Sequence, residues 1–200
     1  MPETSDHHSM RGRVILIVGP SGAGKDAVIQ WLKPHLKADP NIVFVRRTIT
    51  RAAGDTNEDH IATSPEAFKK AEQAGQFLAT WSAHGLFYGL SADLHDAVES
   101  GNLLIINGAR RALPELKRVF PDSLVVHITA KQGALEERLR SRARENEVEI
   151  QERLQDALKL PDPAFSAVVI DNSGPIDRAG NELLALVRKE TRQCLQGDPV

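Results

Sequence analysis

Arg13-Val-Ile-Leu-Ile-Val18 followed by Gly19-Pro-Ser-Gly-Ala-Gly-Lys25-Asp26 is the stretch that decides the fold. The first part is continuously apolar and rich in β-branched residues, as a strand buried on both faces must be. The second part fits G-x-x-x-x-G-K, and Asp26–Lys37 behind it has helical spacing through Val28, Trp31, Leu32 and Leu36. A strand, a glycine loop ending in lysine and a helix in that order form the context in which this loop cradles phosphate oxygens. Glycines let backbone N–H groups turn inward with no Cβ in the way. The helix start adds partial positive charge, and Lys25 adds a full one. The competing reading is a plain strand-to-helix turn carrying a surface lysine.

Outward from the loop, apolar strand patterns recur at Ile42–Val45, Gln76–Ser82, Leu103–Ile106, Leu124–Ile128 and Ala167–Ile170. Helical patterns are expected at Ser64–Gly75, Ser91–Ser100, Leu113–Phe120, Gln132–Leu160 and Ile176–Leu195. Ser64-Pro65 supplies a hydroxyl cap and a first-turn proline, and Gly75 a stop. Strands alternating with helices predict an α/β fold, a parallel sheet covered by helices on both faces. The polar stretches at 46–62 and 138–150 are rich in arginine and read as inserts projecting from that core. Met1–Met10 reads as a disordered tail without the apolar segment of a signal peptide.

The chain has 200 residues, 41% of them hydrophobic and 26% charged, enough for one domain with a real core. Twenty-five Lys plus Arg against 27 Asp plus Glu leave a net charge of −2, which argues against a dedicated nucleic-acid binder. Cys194 is the single cysteine, so neither a disulfide framework nor a thiolate zinc site is available, and a cytoplasmic location is expected. No apolar run approaches the roughly 20 residues that span a bilayer, so no membrane is expected. Arginine outnumbers lysine, 16 to 9, and gathers at 46–51, 110–111 and 138–153. Its forked guanidinium suits phosphate recognition.

Asp26 stands where Ser or Thr more often follows the lysine of this loop. A carboxylate offers Mg²⁺ a hard, charged oxygen, directly or through water. It can equally satisfy N–H groups of the first helical turn. The charged face at 136–153 has its own bland reading, because Glu136, Glu137, Glu145, Glu147, Glu149 and Glu152 could pair with the arginines among them.

The loop, together with Thr48-Ile-Thr-Arg51, Gly75-Gln-Phe-Leu78, His84-Gly-Leu-Phe-Tyr-Gly89, Arg138-Leu-Arg-Ser-Arg142 and Ile150-Gln-Glu-Arg-Leu154, resembles the guanylate kinase family of P-loop kinases over about residues 11–195. The departures are specific. Arg47 replaces a serine, Gly54 an arginine, His60 a tyrosine, and Asn107 an aspartate. Ala79 replaces the carboxylate that reads the guanine edge. Charge-assisted bonds of that kind contribute roughly 1.5–3 kcal/mol each, so the base reader is gone while the phosphate parts remain. With Lys25-Asp26, Asp59-His-Ile-Ala62, Trp81–Tyr88, Ile106-Asn-Gly-Ala-Arg110 and Arg144-Glu-Asn146, the chain is similar to the ribose 1,5-bisphosphate phosphokinase branch of that superfamily.

That resemblance implies transfer of the ATP γ-phosphoryl to ribose 1,5-bisphosphate, with Mg²⁺, giving 5-phosphoribosyl 1-diphosphate in phosphonate breakdown or another supply route. It implies a single domain at 11–196 after a tail at 1–10, with core segments 11–45, 97–135 and 155–196. An acceptor-binding insert would occupy 46–96 and a lid 136–154. Gly19, Pro20, Ser21, Gly22, Ala23, Gly24, Lys25 and Asp26 would bind ATP, Asp26 also the metal, and Asp171-Asn-Ser173 the adenine. Arg47, Arg51, His60, Tyr88, Asn107 and Arg110 would bind the acceptor. Lys25, Arg138, Arg142 and Arg153 would be catalytic. For Arg46, Arg47 and Arg51 the bland alternative is a charged edge strand, and for His60, His84 and Tyr88 a packing or capping role. The partners expected are the sugar bisphosphate and ATP, for a monomer or homodimer. A guanylate or other nucleoside monophosphate kinase, or a binding module that has lost catalysis, are the alternative functions.

Overall fold

The computed structural model describes residues 12–51, 59–83, 85–141, 151, 154–155 and 165–196. The tail at 1–10, His84, Arg142, Arg153 and most of 142–164 lie outside the described residues.

The apolar run at the head of the decisive stretch becomes β1 (Arg13–Val18), the middle of a five-stranded sheet. Its neighbours are β7 (Leu103–Asn107) and β8 (Leu124–Thr129), with β2 (Ile42–Phe44) outside β7 and β9 (Ala167–Asp171) outside β8. All four pairings are parallel. Ile15, Leu16 and Ile17 are fully buried because both sheet faces are covered. Burial of that kind contributes about 1.5–3 kcal/mol per side chain.

One face, carrying Ile15, Ile17, Ile105 and Val126, packs under α1 (Lys25–Leu36) and the long α6 (Ile176–Gln196). The α1 residues Val28, Ile29, Leu32 and Leu36 repeat at helical spacing and are the buried ones. The other face, carrying Leu16, Val18, Leu104 and Ile106, packs under α4 (Leu113–Val119) and a second sheet.

That second sheet has the order β4-β3-β6-β5. Its strands are β3 (Thr48–Ile49), β4 (Ile61–Ala62), β5 (Phe77–Ala83) and β6 (Leu86–Ser91). Helix α2 (Pro65–Gln73) opens as its sequence requires, with the Ser64 hydroxyl accepting the Ala67 N–H at 3.1 Å.

The structure corrects the reading of Ser91–Ser100 as one helix. Ser91 ends β6, and only Leu94–Glu99 forms a helix, α3. Leu90 is fully buried and pairs across to Ala79, so tertiary strand pairing overrides local spacing. The segment at 46–49 is not an edge either, because β3 lies between β4 and β6. The helix expected from Gln132 onward is observed as α5 (Gln132–Ser141).

Candidate active site

The glycine loop leaves the end of β1 and is held from beneath. Gly19 lies so close to the neighbouring strand that a Cβ there would stand 2.1 Å from the Ile128 carbonyl oxygen. Gly24 is the left-handed residue that starts α1, at φ +84°. A Cβ at Gly24 would stand 2.5 Å from the Asn172 Nδ2, which is why the loop carries glycine there. The Asn172 Nδ2 donates to the Ala23 carbonyl at 2.8 Å, and the amide is buried.

Arg138 on α5 joins the same clamp. Its Nη2 donates to the Asn172 carbonyl at 2.8 Å and its Nη1 to that of Ala23 at 3.5 Å. Leu135 and Leu139, on the buried side of α5, pack into the core with Ala23, which brings Arg138 to the loop rather than to solvent. Arg140, two residues on and so on the opposite side of the helix, pairs with Glu136 at 3.0 Å on an exposed face. The two arginines therefore divide between the site reading and the solvated-face reading.

Lys25 folds back over the loop, its Nζ donating to the carbonyls of Gly19 at 2.9 Å and Pro20 at 3.1 Å. Asp26, in the first turn of α1, accepts from the Asn107 Nδ2 at 2.6 Å. Asn107 is the last residue of β7 rather than a residue beyond it. Its Oδ1 is buried without a hydrogen-bond partner among the described residues. These two side chains line a cleft with Gln30, Lys33, Phe44, Arg46 and Asp59. Asp59 there pairs with Arg46 at 2.8 Å and Lys33 at 3.5 Å.

Arg47 is buried, at 7% exposure, with its guanidinium carbon 5.0 Å from the centre of the Tyr88 ring and 6.0 Å from that of Trp81. Those two rings face each other across β5 and β6 at 5.5 Å and 3°. Arg51 and His60 border the second sheet just after β3 and before β4, and Arg110 opens a short 3₁₀ turn after β7. The structure thus gathers the loop, Asp26, Asn107, Asn172 and Arg138 into one region. It places Arg47, just before β3, against Tyr88 of the second sheet. Ala79 is buried at 3% exposure, packed with Leu90 and Leu16 in the core.

Two residues that sequence reasoning did not single out for the site emerge here. His127 is 2% exposed near the end of β8, beside Val18, and neither ring nitrogen has a partner among the described residues. Burial, then the charges of Arg110 and Lys25, lower its pKa to about 4. It is the one polar side chain in the run Leu124–Ile128, and that interruption was its signal. Trp81 is the other, noted only within a resemblance.

A glycine loop closing on a lysine at the end of a central parallel strand, with an arginine-bearing helix against it, defines a P-loop kinase. The sequence profile described as Guanylate kinase matches residues 11–190, and the chain belongs to the guanylate kinase family. It is 38% identical over 176 residues to "Ribose 1,5-bisphosphate phosphokinase PhnN" of Agrobacterium fabrum, covering 88% of this chain and 96% of that one. It is 36% identical over 177 residues to the protein of that name from Rhizobium etli, covering 88% and 90%. The Janthinobacterium protein of that name is 37% identical over 179 residues, 89% of this chain but 39% of that longer one. Among solved structures, guanylate kinase from Anaplasma phagocytophilum matches in fold, with a TM-score of 0.68 at 19% identity over 92% of this chain and 89% of that one. No helix among the described residues is long and apolar enough to cross a membrane.

Proposed function

We infer that this protein transfers the γ-phosphoryl group of ATP to the anomeric phosphate of ribose 1,5-bisphosphate, giving 5-phosphoribosyl 1-diphosphate and ADP. The observation that carries the reading is Ala79. The position where a guanylate kinase needs a carboxylate for its base holds a methyl group sealed in the core. The names of the relatives at 36–38% identity point the same way.

The chemistry suits the residues present. An acceptor phosphate is already ionised near neutral pH, so its oxygen attacks the γ-phosphorus without a general base. The bond from the γ-phosphorus to the β,γ-bridging oxygen breaks, and ADP leaves. Catalysis then reduces to alignment and charge neutralisation. Lys25 exchanges its two loop carbonyls for the β- and γ-phosphates. Backbone N–H groups of 19–26 and the start of α1 hold the same oxygens. Arg138 meets the transferring group from α5, with Arg142 and Arg153, outside the described residues, completing a closing lid that excludes water. Arg47, Arg51 and Tyr88 hold acceptor phosphate, while Asn107, Arg110 and His60 hold the rest of the sugar phosphate.

The donor set fits Mg²⁺. The Asp26 carboxylate and the Asn107 Oδ1, which is buried with no hydrogen-bond partner among the described residues, are hard oxygens on two side chains that bond each other at the start of α1. When bound, the ion supplies charge neutralisation at the donor phosphates. A neutral Asn107 leaves Asp26 as the single carboxylate of the pair, so half of the ion's double charge would remain for the donor phosphates. The buried thiol of Cys194, whose pKa burial raises, suits a reducing cytoplasm, where the chain would act as a monomer or homodimer.

The test is an acceptor panel. Protein, ATP and Mg²⁺ are incubated with ribose 1,5-bisphosphate, GMP, AMP, CMP or UMP, and products are identified by mass and phosphorus NMR. The expected product is 5-phosphoribosyl 1-diphosphate. Consumption of GMP with none of that diphosphate overturns the reading. ATP binding without turnover on any acceptor points to a binding module instead.

A further inference from the structure

We propose that Trp81 determines acceptor specificity: its indole walls off the space a nucleobase would need and gives its Nε1–H to an oxygen of the sugar phosphate. This rests on the acceptor reading above and goes beyond it, because it names the side chain that replaces the lost base reader.

Position comes first. From Ala79 onward β5 and β6 pair in regular register, so Ala79, Trp81 and Ala83 share one face with Leu90 and Tyr88 opposite them. That face is the covered one. Ala79, Ala83, Tyr88 and Leu90 are all buried, and so is Ile49, the β3 partner of Tyr88. Trp81 is the large residue in the row and touches both the central core and the small cluster of Ile49, Ala83 and Tyr88. Two residues on from the alanine that cannot read a base, and on the same strand face, stands a ring system packed against the core cluster to which that alanine belongs.

Partnering comes second. The Trp81 ring lies parallel to Tyr88, and the buried Arg47 guanidinium sits against both ring faces. Aromatic faces and a planar cation hold one another in orientation, so the three groups form a fixed wall. The exception within it is the Trp81 Nε1, which is buried with no hydrogen-bond partner among the described residues. An unmet indole N–H carries a desolvation penalty that phenylalanine at the same place would avoid. Packing alone does not require the indole nitrogen. An indole there is explained by a ligand oxygen that completes it, and the ligand beside Arg47 and Tyr88 is an oxygen-rich sugar phosphate. The same ring bars a purine or pyrimidine from the place beside Ala79, so the wall selects against bases and for the bare sugar at once.

The experiment uses the full chain and three variants. Trp81→Phe keeps the ring and deletes the donor. About a tenfold rise in KM for ribose 1,5-bisphosphate is expected, with KM for ATP unchanged and the melting temperature of the acceptor-free protein not lowered, since the unmet donor is removed. Trp81→Ala opens the wall, and GMP turnover or competitive inhibition by GMP, absent in the wild type, is expected. Trp31→Phe leaves Trp81 as the single tryptophan and removes one that bonds Asp177 on the far side of α1. Its fluorescence should change saturably with ribose 1,5-bisphosphate, which tests the contact even if a Trp81 variant fails to fold.

An unchanged acceptor KM in Trp81→Phe, or a flat fluorescence titration, overturns the proposal while leaving the kinase reading intact. Wild-type turnover of GMP without the diphosphate product overturns both.

Discussion

Replacing Gly24 by alanine tests whether the nucleotide loop depends on the close approach of Asn172. Gly24 has φ +84°, and a Cβ in that conformation costs about 1–2 kcal/mol of backbone strain. The new atom would also stand 2.5 Å from the Asn172 Nδ2, and relief to the 3.4 Å of ordinary contact requires 0.9 Å of movement. Asn172 is buried and has its own bonds to Ala23 and Arg138, so the shift breaks the 2.8 Å bond to the Ala23 carbonyl. That adds about 0.5–1.5 kcal/mol. The expected destabilisation is therefore about 2–3 kcal/mol, which for a domain of this size lowers the melting temperature by about 4–12 °C. Activity falls further, because a displacement near 1 Å in a loop that aligns phosphates costs about 10²-fold. The assay is kcat/KM for ATP beside a thermal melt. Gly24→Ala combined with Asn172→Gly should recover part of the lost activity, since the overlap goes and the strain stays. A single variant within twofold of wild type in kcat/KM, with its melting temperature unmoved, would refute the reasoning.

Lys25→Ala should lower kcat by at least 10³-fold while the melting temperature stays within a few degrees, because the half-buried side chain lies over the loop, donating to the Gly19 and Pro20 carbonyls, and not in the core. Near-normal turnover would remove Lys25 from the donor site. Asp26→Ser should shift the Mg²⁺ concentration needed for half-maximal rate several-fold and leave KM for the sugar phosphate within about twofold. An unchanged metal titration takes Asp26 out of the ion's shell. His127 should make stability fall in acid. Its folded pKa of about 4 lies below the 6.5 of the free side chain, so the unfolded chain takes up the proton first. The contribution is intact above pH 6.5 and is lost progressively as pH falls towards 4, on the order of 3 kcal/mol at most. Denaturant unfolding of wild type and His127→Gln across that window checks it, and parallel pH profiles would show that the imidazole is not held neutral.

The decisive loop was legible in the sequence because its chemistry is local. Gly19 to Lys25 are consecutive, and the strand before them and helix after them announce themselves by composition and spacing. Helix α2 was equally legible, since Ser64, Pro65 and Gly75 act within one helix. The alternation of apolar strands with helices was enough for a parallel sheet. It could not give the strand order, nor separate β6 from α3 near Ser91, where the deciding partner is a distant strand.

The rest of the site depends on residues that are far apart along the chain. Asn107 meets Asp26 across 81 positions and Asn172 meets Ala23 across 149. Arg47 finds Trp81 and Tyr88 because β3 pairs with β6. Sequence by itself determined that a glycine loop with the spacing of a phosphate cradle follows an apolar strand and, through the family resemblance, that alanine stands where the guanine-reading carboxylate is expected, since both follow from residue type at a recognisable place. Only the tertiary structure decided that Ala79 is sealed in the core, that His127 is buried beside Val18, and that Trp81, whose N–H has no partner among the described residues, packs against Tyr88 and Arg47. Burial and partnering are properties of packed elements, and no local window of the chain contains them.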